Sequence, residues 1–117
     1  MVHAQKETKM TVTVNELTIA YDLVSANTDK ALTSGLAFEL QKEAVETTTL
    51  QAIASGEIQG NNEGERKAAA LAMFSSSYAI LAEKELEYRQ NSNALALAKI
   101  HLDFVRDCIR IEELAKK

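Results

Sequence analysis

Few side chains in this 117-residue chain are of the kinds that do covalent or metal chemistry. His101 and Cys108 are its nearest approach to a catalytic pair, since a histidine in contact with a thiol can activate it as a nucleophile. Seven residues of helix would hold them two turns apart, about 10 Å along the axis, so contact would need a second chain. The plainer reading is a partly buried histidine and an inert core cysteine. If a two-fold axis passed near Cys108, the thiol would approach its own mate. Di-metal carboxylate bundles need Glu-x-x-His pairs, and Ala98 stands three positions before His101. Glu83, Glu85 and Glu87 alternate and so cannot gather on one helical face. One cysteine and two histidines make no zinc set. No Gly-Lys-Ser/Thr phosphate loop occurs. Tyr21, Tyr78 and Tyr88 offer rings on which bases could stack, but their spacing suits a packed seam with wet hydroxyl ends. No catalytic residue, cofactor or metal is therefore expected, and the chain reads as a non-enzyme.

The elements that would position these residues are clearer. Gly64–Lys117 has no proline, and its one glycine is at its front edge. It carries Phe74, Leu81, Tyr88, Leu95, Leu102 and Ile109 at seven-residue intervals, the mark of a long helix buried along one seam. A second heptad series runs through Leu17, Val24, Ala31, Phe38, Val45 and Ala52. Between them lies Ser55-Gly56-Glu57-Ile58-Gln59-Gly60-Asn61-Asn62. Gly56 suits a left-handed position that ends the first helix. Gly60 belongs to the turn, and Asn62 with Glu65 three residues on reads as the N-cap of the second helix. Folding back there pairs Val45 with Phe74, Phe38 with Leu81, Ala31 with Tyr88, Val24 with Leu95 and Leu17 with Leu102. The midpoint of every pair falls inside the turn. The spacing predicts one all-α domain, a long antiparallel helical hairpin over about 14–55 and 62–116, with a left-handed supercoil. Residues 1–9 read as a frayed tail, Met10 as a possible alternative start, and Thr13 with Glu16 as a modest capping box.

Composition agrees. Proline is absent, aromatics are 5%, and alanine occurs 18 times, a balance that favours helix. The longest apolar run, Ala68–Phe74, is far too short to cross a bilayer, so no membrane is expected. The N-terminus has no signal-peptide core, and the lone Cys108 fits a reducing cytoplasm. Net charge is −4. Residues 1–62 carry four Lys/Arg against eight Asp/Glu, and residues 63–117 nine against nine. That balance steers poorly toward phosphate backbones.

A lone two-helix hairpin of this length leaves too much apolar surface in water. After Ser92 a further row appears at Leu97, Phe104 and Ile111, with Ile100, Val105 and Cys108 between. The positions before it, 76, 83 and 90, are Ser, Glu and Gln. Leu97, Ile100, Phe104, Val105, Cys108 and Ile111 are therefore the candidate dimer interface, and a dimeric four-helix bundle or coiled coil is expected. The rival is a four-helix bundle within one chain. It needs both helices to break, near Asn27-Thr28 and near Asn91-Ser92-Asn93.

The run Gly60-Asn61-Asn62-Glu63-Gly64-Glu65-Arg66 resembles a turn-and-cap pattern of short, uncharacterised helical proteins of bacteriophages and other mobile elements. There a glycine–glutamate–isoleucine turn leads into Gly-x-Asn-Glu-x-Glu-Arg and a long helix. The likeness covers roughly residues 50–115, and Gly64 departs from it, since a helix-former is commoner there. It implies small accessory proteins, some near recombination or single-strand-binding functions, and brings no catalytic residue. The expected function is a helical homo-oligomer that binds another protein. The alternative is a nucleic-acid-binding accessory factor using Arg66, Lys67, Lys84, Arg89, Lys99, Arg106 and Arg110.

Overall fold

In the computed structural model, secondary structure is described for residues 2–116 and side chains for residues 14–116. The backbone is helical from Val2 on, so the first helix, expected from about residue 14, begins earlier and takes in residues 2–9 of the expected tail and Thr13 of the expected capping box. Three helices follow one another: α1 (Val2–Ala54), α2 (Glu63–Met73) and α3 (Ser75–Ala115). No strand occurs among the described residues. The protein is all-α, and its chain reverses between Ser55 and Asn62.

Both heptad series turn inward. Ala31, Val45 and Ala52 are buried on α1, and Leu102 is buried on α3. Leu17, Val24, Phe38, Leu81, Leu95 and Ile109 are half-buried. The chain groups into two compact units, Met1–Ala31 with Asn91–Lys117 and Leu32–Gln90.

In the first unit Ala20, Leu102 and Val105 form the core, flanked by Leu17, Val24 and Ile109. The helices run antiparallel there. Tyr21 meets Arg106, while nine residues later Lys30 accepts a hydrogen bond from Asn91. In the second unit Ala52, Ile58 and Ala70 form the core, with Phe74 and Tyr78 against it. Gln41 donates to the Ser77 carbonyl at 3.3 Å, and the Tyr88 ring stacks on Phe38 with centroids 6.1 Å apart. Tyr88 also lies over Gly35, where an added Cβ would come within 3.0 Å of the ring. Its small partner is thus Gly35, one turn along from the expected Ala31.

One expectation is met and one needs correction. The helices run unbroken through the asparagine-rich levels, so the rival single-chain four-helix bundle is not the fold. Asn27 donates to the Leu23 carbonyl at 2.8 Å and Thr28 to that of Val24 at 2.7 Å. These bonds satisfy inside the helix the polar groups that would otherwise compete for its backbone. On α3, the Asn91 amide reaches across to the Lys30 carbonyl at 3.4 Å.

The expected 62–116 helix is instead interrupted at Phe74, whose φ of −111° and ψ of 34° leave the α region. The ladder still closes around it: the Phe74 amide donates to Ala70, and Tyr78 donates to the Phe74 carbonyl. Ser75-Ser76-Ser77 follow at once, and serine hydroxyls compete with helical backbone bonds. That weak stretch yields while the Phe74 side chain stays against the Ala52–Ile58–Ala70 core.

Candidate functional site

On the second half of α3 the sequence places two apolar rows, each with heptad spacing. Leu95, Ala98, Leu102, Val105 and Ile109 face α1 and are buried or half-buried. Two residues after each come Leu97, Ile100, Phe104, Asp107 and Ile111, and Leu114 extends the row. A two-residue step turns about 200° around a helix, so this row sits roughly 160° away, on the reverse face. Leu97, Ile100, Phe104, Ile111 and Leu114 are 62–67% exposed. Large apolar side chains left in water at a/d spacing are the pattern of a helix seam without its partner helix.

Four of the six residues named for an interface, Leu97, Ile100, Phe104 and Ile111, share this face. Val105 does not. It is 2% exposed and packs in the chain's own core with Ala20 and Leu102, because its spacing belongs to the inner row. Cys108 is half-buried on the flank between the rows. His101 is exposed, not partly buried, and lies on the same flank. Leu114 was legible, ten residues after Phe104 and three after Ile111, as the fifth apolar residue of the row.

The opposite flank is charged. Arg106 donates through its guanidinium to the Tyr21 hydroxyl, with Nε at 3.1 Å, and its carbon lies 5.1 Å from the ring centroid. The Tyr21 hydrogen bond raises the Arg106 pKa above its ordinary value. Asp103 stands 4.0 Å from Arg106. Of the proposed basic residues, Arg89 is bridged to Glu85 at 2.6 Å, and Arg66 donates to the Gly60 carbonyl at 3.2 Å. Lys99, Arg106 and Arg110 share a flank, but Asp103 interrupts it.

The turn residues have structural roles. Gly56 takes φ 81°, the left-handed value that ends α1. Its amide donates to Ile53, and Ile58 donates to Ala52, which folds the Ile58 side chain into the core. Asn62 caps α2 by accepting from the Glu65 amide at 2.8 Å, and the Glu65 carboxylate reaches back to the Asn61 amide at 2.8 Å. This is a capping box displaced by one residue. At Gly60 an added Cβ would meet the Arg66 nitrogen at 2.9 Å, so close backbone approach requires glycine there. Asn61, Asn62, Glu65 and Arg66 thus each use a hydrogen bond to hold the chain reversal.

In the second unit, Leu32, Leu36 and Leu40 are exposed and spaced four apart on α1, a row missed by attending to sevens. A shallow hollow lined by Lys67, Ala68, Leu71 and Tyr78 has no converging polar groups. Among the described residues no three His, Cys, Asp or Glu side chains gather as they would around a metal ion. Among the described residues no helix is long and apolar enough to cross a membrane. Comparisons with protein-family models, curated proteins and solved structures give no significant match.

Proposed function

We propose that this protein is a helical homodimer that works by binding another protein, and that the reverse face of α3 is where two copies meet. The observation that carries the reading is the exposed a/d row at Leu97, Ile100, Phe104, Ile111 and Leu114. Covering five such side chains would stabilise the assembly by roughly 1–2 kcal/mol each. A second copy is the simplest partner, since it brings the same surface at the same concentration. The exposed Leu32–Leu36–Leu40 row stays available to a different protein.

The proposed setting is a cytoplasmic accessory protein of phage or mobile-element type. It rests on the turn-and-cap resemblance and on the single cysteine. The nucleic-acid reading draws on Lys99, Arg106 and Arg110, but Arg106 is engaged by Tyr21 and Asp103. Light scattering on the eluted protein tests the dimer. The expected mass is twice the 12.8 kDa of the chain; a clean monomer across the micromolar range would end the proposal.

A further inference from the structure

The reverse face of α3 also carries information about direction. We infer that two copies pair through it antiparallel, with Leu97 level with Leu114 of the other copy and Ile100 level with Ile111. This rests on the dimer proposed above and fixes its geometry. In the heptad of the outer row, Leu97, Phe104 and Ile111 take one core position, and Ile100, Asp107 and Leu114 the other. Antiparallel pairing sets one kind of core position against the other. Only one antiparallel register covers the whole row from Leu97 to Leu114. A slip by one heptad leaves two of the five apolar residues without an opposite.

Charge selects the same register independently. Asp103 and Arg110 are seven apart on the flank of the row, both exposed. When Leu97 is level with Leu114, Asp103 of each copy comes beside Arg110 of the other, twice by symmetry. A parallel pair offers neither advantage. It would set Asp103 beside Cys108 and Arg110 beside Ala115, and it would bring the two Asp107 carboxylates into one layer. Like charges held together in a desolvated seam are strongly disfavoured. Antiparallel, each Asp107 is level with Phe104 of the other copy instead.

The position of the row on α3 adds one consequence. Because the two seams are roughly 160° apart, the paired α3 stretches sit between their α1 partners, making a row of four helices. A square bundle would need the seams about 90° apart. Cys108 and its mate are then five residues out of level, about 7.5 Å along the axis, and no native disulfide forms.

Cysteine cross-linking separates the outcomes. In full-length protein with Cys108→Ser, Leu97→Cys and Leu114→Cys are made singly; both sites are exposed in the isolated chain, so helicity is retained. Under mild oxidation each alone is expected to stay uncross-linked, while an equal mixture gives a covalent dimer. Self-linking by Leu97→Cys in a protein that sediments as a dimer would overturn the antiparallel pairing and leave the dimer standing. A monomer by sedimentation would overturn the reading beneath it. As a second arm, Arg110→Asp is expected to weaken association roughly tenfold at low salt. Adding Asp103→Arg should restore it, and a double variant as weak as the single would contradict the pairing.

Discussion

The two halves of α3 share one inner seam and differ on the reverse face. Along residues 75–90 the reverse positions are Ser76, Glu83 and Gln90, and along 97–111 they are Leu97, Phe104 and Ile111. The inner seam alone makes both halves helical and packs each against α1. The reverse face adds nothing to that packing, so its change of character cannot be explained by the fold of one chain. The early half turns these polar side chains to water, whereas the late half leaves large apolar ones exposed, the surface proposed above for a second copy.

The sharpest way to break this contrast is to put a charge on each half. Phe104→Glu is expected to raise the dimer dissociation constant at least about a hundredfold, since it strips a central anchor and buries a carboxylate. Leu86→Glu, at an exposed site in the other unit, should leave association unchanged. Sedimentation equilibrium on both reads the difference, with circular dichroism as the check on folding.

Next in size comes Ile58→Ala. Ile58 is buried against Ala52 and Ala70, and its truncation should cost about 2–4 kcal/mol. Urea unfolding at several concentrations would show that loss without weaker dimerisation. The cap is smaller still. Asn62→Ala removes the bond to the Glu65 amide and should lower stability by about 1 kcal/mol, a change in thermal midpoint independent of dilution. Least of all is Tyr21→Phe, which deletes the hydrogen bond to Arg106 but keeps the ring beneath it. Being exposed, that contact should leave the thermal midpoint within the scatter of repeat melts.

Much of this fold was legible because two heptad series and one glycine-bearing turn repeat a simple rule. The turn could be read to the residue: Gly56, Asn62 and Glu65 are each tied to local backbone chemistry. The interruption at Phe74 is not legible in the apolar phase, which runs on unbroken while the weak helix of Ser75-Ser76-Ser77 lets the backbone yield. At Asn27-Thr28, by contrast, the rule holds: the apolar phase runs on despite poor propensity, and side-chain bonds to Leu23 and Val24 keep the helix whole. Val105 was assigned to the interface because apolar residues on late α3 were grouped together. Assigning each to one of two rows separated by two residues places Val105 inside and Leu114 outside.

The protein contains no tryptophan, so one introduced at the centre of the row reports its surroundings without background. Phe104→Trp is expected to emit as a buried indole at micromolar concentration, resist iodide quenching, and shift to the red on dilution as copies separate. Emission that is red and freely quenched at every concentration would mean the reverse face of α3 meets only water, contrary to the assembly proposed for it.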